Sequence, residues 1–259
     1  MSRAQGKQRS TPKPTVDARM DALAALPTDN RIHLATLFRP YLRDRSYRLR
    51  TAALQMVLQH EIRELEDEVR SLLLDKDGFV RDLAVECLGN FHEHEEIKAT
   101  WLYPCLNDPY WLVRVETLES LAQIGDRSAL PLISERLHDD ENLVRSYAAT
   151  AIADLGGKRY LTRLRLAFKN EHNDRAKVGL ASALFSLGDP SQFSSLIALL
   201  SCSDYRVRCA VANHLVDLAL NPQQHQLTLA AVSHAAKNFL YRADQSTMET
   251  VEKQLRENS

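Results

Sequence analysis

The chain has 259 residues, a formal net charge of −1 and 44% apolar residues, so it can bury a sizeable core and lacks the charge excess of a nucleic-acid-coating protein. No apolar run approaches the roughly 18 residues of a membrane span, so no membrane partner is expected. The cysteines Cys87, Cys105, Cys202 and Cys209 form no CxxC pair, which argues against a zinc site or disulfide framework and for a reducing, cytoplasmic setting.

In chain order, residues 1–15 (MSRAQGKQRSTPKPT) carry basic residues without an apolar h-region, and they are expected to be a disordered basic tail rather than a secretory signal. Residues 16–43 follow as an N-terminal cap and first helix A. From 44 to 220 the chain repeats itself. Arg50, Arg81, Arg114, Arg145, Lys177 and Arg208 stand 31, 33, 31, 32 and 31 residues apart. From Arg114, apolar residues recur at Leu118, Leu121 and Ile124, with Gly125 next; from Arg145 they recur at Ala149, Ile152 and Leu155, with Gly156 next. That spacing is the apolar face of a helix, B, which starts near each anchor, and the glycine suits a left-handed C-cap. A shorter periodic helix, A, precedes each B across a polar turn, as in RSALPLISERLHDD (127–140).

A helix pair of about 31 residues cannot bury its own apolar stripe, and stacking on its neighbours solves this. The predicted fold is all-α: a right-handed α-solenoid of about six helix pairs spanning 16–259, with the region 221–259 as C-terminal cap.

The segment 124–157, IGDRSALPLISERLHDDENLVRSYAATAIADLGG, resembles the short HEAT-like repeat found also in phycobilin lyase subunits: an Asp in the turn, Val-Arg opening helix B, and Leu-Gly at its end. The resemblance covers about 44–220. It implies a structural ladder of turn acids and helix-B arginines between repeats, here Asp44 with Arg50, Asp75 with Arg81, Asp108 with Arg114 and Asp139 with Arg145. In the fifth unit it pairs Glu171 with Lys177; in the sixth, Cys202 occupies the acid's slot with Asp204 nearby.

No catalytic residue is expected. FHEHEE (91–96) gathers His92 and His94 among glutamates, a set able to hold a transition metal. In the HEAT-like deoxyhypusine hydroxylases, however, the His-Glu pairs sit just after the start of helix B. Here those positions read Thr51-Ala52, Asp82-Leu83, Val115-Glu116, Ser146-Tyr147, Val178-Gly179 and Cys209-Ala210. The stretch is read as a solvated loop, with no metal and no cofactor. No P-loop or nucleophile-elbow motif occurs.

HEAT-like alkylpurine DNA glycosylases line their concave face with Lys, Arg and Trp. Here positions +1, +5 and +9 from the anchors, expected to share the concave solvent face, include Asp82, Glu86, Glu119, Asp154 and Asp217 and no Lys or Arg. Nucleic acid is not expected there, because such a stripe repels phosphates. The expected partner is another protein with a basic surface, held by Asp82, Glu86, Glu116, Glu119, Tyr147 and Asp154. Tyr110 and Trp111, at the turn into helix B with Tyr47 and Tyr205 in equivalent places, either fill the junction between turns or form an aromatic rim.

The function expected is therefore a non-catalytic protein-binding module. Its particular forms are an immunity protein neutralising a toxin domain, a chromophore-lyase or chaperone-type subunit, or an assembly scaffold. A metal-dependent HEAT-like hydroxylase is the alternative of a different class.

Overall fold

The computed structural model describes residues 14–26, 31–91, 96–238 and 242–257, and all regular structure among them is helical. The basic tail up to residue 13, and the histidines and glutamates at 92–95, lie outside the described residues. The chain divides into two compact units, residues 1–91 and 92–259.

In the first unit, α1 (Val16–Ala24) is followed by α2 (Arg31–Leu42), α3 (Tyr47–Gln59), α4 (Glu66–Ser71, between 3-10 turns) and α5 (Gly78–Asn90). The B helices α3 and α5 lie side by side, with α2 against α3 and α4 against α5. Phe38, Leu49, Leu54, Val57, Val69, Val85 and Leu88 are buried between them. The register also reaches further back than the sequence reading placed it. Arg19 lies 31 residues before Arg50, and Leu23, four residues on, is buried as in a true B helix. α1 packs on α3, and Arg19 forms an ion pair with the turn acid Asp44. α1 is thus a shortened B helix in the same register.

The second unit contains α6 (Glu96–Leu102), α7 (Trp111–Ile124), α8 (Leu130–Glu135), α9 (Asn142–Asp154), α10 (Leu161–Asn170), α11 (Asp174–Ser186), α12 (Gln192–Leu199), α13 (Tyr205–Asp217), α14 (Pro222–Asn238) and α15 (Arg242–Glu257). Helices α7, α9, α11, α13 and α15 stack in that order, with α6, α8, α10 and α12 on their flank. α14 contacts α12, and α15 contacts α13, so the C-terminal pair continues the alternation. The buried register residues are Leu118 and Leu121 on α7, Ala149 and Ile152 on α9, Ala181 and Leu184 on α11, and Ala212 and Leu215 on α13.

Helix A is less regular than its periodicity implies. Instead of one helix over 127–140, the chain forms a 3-10 turn (Arg127–Ala129), the short α8 with Pro131 in its first turn, and a second 3-10 turn (Arg136–His138). Proline suits a helix start, where its missing N–H costs nothing, and 3-10 turns satisfy the end groups of so short a helix.

The B helices end as their glycines demand. Gly125, Gly156 and Gly188 have φ of +77°, +68° and +105°, a region where a β-carbon is strained. Gly179 has a different reason to be glycine. A Cβ there would lie 2.3 Å from Ser146 Oγ and 2.4 Å from the Ser146 carbonyl oxygen, so α9 and α11 approach at closest backbone contact. The solvent face is consequently narrower than the sequence register implies. Val115, Ser146 and Val178, all at +1, are 7%, 7% and 1% exposed, because neighbouring B helices cover them.

Candidate functional site

The turns between A and B helices share one arrangement. Arg50 Nη1 donates to the carbonyl oxygen of Asp44 at 2.8 Å, and its Nη2 donates to the carboxylate of Asp75, one repeat on, at 2.7 Å. Arg114 donates to the Asp108 carbonyl at 2.8 Å and to the Asp139 carboxylate at 2.6 Å, with Asp140 adding a second acceptor at 2.8 Å. Arg145 takes the Asp139 carbonyl at 2.9 Å and grips Glu171 through Nε and Nη2 at 2.7 and 3.0 Å. Arg81 holds the Asp75 carbonyl at 2.8 Å.

Each turn acid also accepts a backbone N–H two residues on: Asp44 from Ser46, Asp75 from Asp77, Asp108 from Tyr110, Asp139 from Glu141 and Glu171 from Asn173. One guanidinium therefore closes its own turn and clamps the next, which makes these charges structural. Burial pushes Glu171 up, but the Arg145 guanidinium and the backbone N–H of Asn173 outweigh it and hold the carboxyl below its usual value.

Two details correct the sequence reading. Glu171 is bound by Arg145, not Lys177; the shorter Lys177 ammonium turns to Asp174 at 3.1 Å. Where Cys202 replaces the acid, Arg208 takes the Cys202 and Ser203 carbonyls, and Arg175 crosses to Asp204 at 3.1 Å. The clamp persists there through a different pair.

Away from the turns, α7 and α9 enclose a recess of about 430 Å³ lined by Glu119, Ala122, Gln123, Tyr147, Thr150, Ala151 and Asp154. The lining holds two carboxylates, a phenol, an amide and a hydroxyl over two alanines, with no Lys, Arg or His among them. The Tyr147 phenol is pushed up by burial and by the negative charges of Glu119 and Glu116, which fixes it as a neutral hydrogen-bond donor. Burial raises the Asp154 carboxyl, and Asp217 on α13 raises it further, so negative potential extends beyond the recess towards α13.

Between them on α11, Ser182 Oγ lies 3.2 Å from Nδ1 of His214, whose pKa burial holds down against the pull of Asp217. The structure thus brings Glu116, Glu119, Tyr147 and Asp154 together. Asp82 and Glu86 stand half-buried on α5 of the first unit. The sequence reading did not single out Gln123, Thr150 or the alanine floor as site residues; paired small residues on facing helices were the available signal.

The turn aromatics are placed locally. Trp111 is the first residue of α7 and half-buried, and Tyr110, its N-cap, has its backbone N–H held by Asp108. Tyr47 opens α3 and is exposed, and Tyr205 opens α13 beneath the Arg206 guanidinium, 5.4 Å from the ring centre. Among the described residues, no group of three His, Cys, Asp or Glu side chains is arranged to hold a metal ion.

Residues 99–185 match the family model described as HEAT repeats, and the fold is an all-α repeat fold of the α-solenoid class. Among solved structures it is similar to the complex of CpcE and CpcF of phycocyanin lyase from Nostoc sp. PCC7120: 15% identity, 95% of this chain, 100% of that chain and a TM-score of 0.62. It is similar also to YibA of E. coli, with 17% identity, 97% of this chain, 99% of that chain and a TM-score of 0.51. Human deoxyhypusine hydroxylase aligns with 17% identity over 88% of this chain and 97% of that chain, at a TM-score of 0.44. No curated protein matches in sequence.

Proposed function

We propose that this chain is a non-catalytic protein-interaction module that holds a partner's basic surface against the exposed face of its B helices. HEAT repeats support a protein-interaction role in general, and the similar CpcE and CpcF structure is itself a protein complex. The observation that carries the finer reading is the recess between α7 and α9. Its volume suits a bound group, and its carboxylates are backed by Glu116 and Asp217 rather than by lining cations. An incoming Lys or Arg replaces the water there and finds carboxylate acceptors beside an aromatic face. A phosphate backbone meets like charge in the same place.

The experiment is comparative affinity capture with wild type and with Glu119→Lys/Asp154→Lys, quantified by mass spectrometry. A basic protein that wild type retains and the charge-reversed variant loses supports the reading. Identical captured sets contradict it.

A further inference from the structure

The second unit carries, on its helix-A side, a cationic cluster that the clamp does not use. From Gly156 to Asn170 the chain contains Lys158, Arg159, Arg163, Arg165 and Lys169, and no acid. Arg165 has its carboxylate, Asp189, at 2.9 Å. Arg159 and Arg163 are placed differently. Their guanidinium carbons lie 5.1 and 5.9 Å from the centre of the same ring, Tyr160. Arg159 also donates to the Tyr160 hydroxyl at 3.3 Å, and Arg163 donates to Ser134 Oγ at 2.8 Å.

A third guanidinium reaches this loop. Arg127 Nη2 lies 3.5 Å from where a Cβ on Gly156 would stand. Its sequence neighbour Asp126 is already bonded to the Tyr103 hydroxyl and to Ser128. Elsewhere in this unit Arg114, Arg145, Arg165 and Arg175 each face an acid. Fixing two of these guanidiniums on a ring and a hydroxyl orders their forks in advance.

We propose that Arg127, Arg159 and Arg163 form a receptor for the phosphoryl group of a phosphorylated serine or threonine on a partner protein. Arginine's planar fork matches phosphoryl oxygens, and a phosphomonoester offers close to two negative charges on three oxygens. The cluster is confined to one loop and its flank, which suits one compact dianion rather than a strand of monoanions. Tyr160 is 8% exposed, so its ring offers no stacking platform for a base. This receptor stands apart from the acidic recess and does not depend on it.

The test uses the full chain labelled with ¹⁵N, following the arginine Nε–H signals during titration. The probes are O-phospho-L-serine, dimethyl phosphate (the charge state of a nucleic-acid backbone) and L-glutamate. O-phospho-L-serine is expected to shift Arg127, Arg159 and Arg163 saturably, and the other two probes to bind about tenfold more weakly or less. Arg159→Ala also removes a contact with the buried Tyr160 ring, so Arg127→Ala, whose guanidinium lies beside Gly156, is the decisive variant. It is expected to weaken O-phospho-L-serine about tenfold. Absence of saturable shifts, equal response to dimethyl phosphate or L-glutamate, or wild-type affinity in Arg127→Ala overturns the proposal.

Discussion

The guanidinium of Arg114 and the carboxylate of Asp139 meet at 2.6 Å across consecutive turns, with side chains 8% and 3% exposed. Removing either partner breaks this buried pair but leaves Asp140 beside Arg114 and Arg136 beside Asp139, so Arg114→Ala or Asp139→Ala is expected to cost about 1–3 kcal/mol. Asp139→Asn is expected to cost less than Asp139→Ala, because the amide oxygen can still accept the Glu141 N–H. Urea denaturation measures both. Equal losses for the two Asp139 variants would show that the turn bond contributes nothing.

Close approach of α9 and α11 gives a second prediction. Gly179→Ala drives a methyl into Ser146 and is expected to destabilise by about 1–3 kcal/mol. Ser146→Gly removes the hydroxyl in the way but leaves the carbonyl oxygen 2.4 Å from the new carbon. Rescue is therefore expected to be partial in the double variant. Full rescue in thermal melts would mean that the backbone can move apart without loss.

Leu121 and Leu184 occupy the same register position on α7 and α11, and both are fully buried. Truncation of either to Ala is expected to cost about 2–5 kcal/mol. Repeats contact only their neighbours, so hydrogen exchange should accelerate first around the truncated helix. Uniform acceleration through the whole unit from either site would contradict nearest-neighbour stacking.

Three groups contribute to the pH dependence with different signs. His214 is held below its usual 6.5, chiefly by burial, so the unfolded chain takes up the proton first. Its contribution is complete above pH 6.5 and is lost as pH falls from there towards the folded value, and His214→Gln is expected to flatten that part of the profile. Glu171 is depressed, so its clamp with Arg145 acts above its usual 4.5 and fades as pH falls through the folded value. Asp154 is raised, chiefly by burial and then by Asp217, so ionising it opposes folding. Asp154→Asn should melt higher at neutral pH, with the advantage vanishing below the usual 3.8. A destabilised Asp154 variant at neutral pH would contradict the placement of its charge.

Much of the repeat architecture was legible because it is periodic. The spacing of the anchors and the apolar positions that follow them depend on helix geometry alone, and Leu118, Leu121, Ile152 and Leu184 lie where that geometry puts them. Arg19 was equally readable, 31 residues before Arg50, but its unit is too short to show a full apolar face. What the sequence hid was lateral. Ser146 and Val178 are covered because α9 and α11 approach closely, a distance that Gly179 sets and no single-helix pattern encodes. Arg145 chooses Glu171 over the Lys177 pairing suggested by the register because the clamp runs forward to the next repeat. The acids of the recess were legible as a stripe, whereas its walls and alanine floor required two helices side by side.

The most direct test of the acidic-face account is the association rate of a basic partner recovered by affinity capture. Surface plasmon resonance at two salt concentrations would compare wild type with Glu119→Lys/Asp154→Lys. The account predicts slower association in the variant and a wild-type rate that falls as salt rises, with stability changed by no more than about 0.5 kcal/mol by the exposed Glu119→Lys alone. A partner that associates with the folded variant at the wild-type rate, at both salt concentrations, would contradict it.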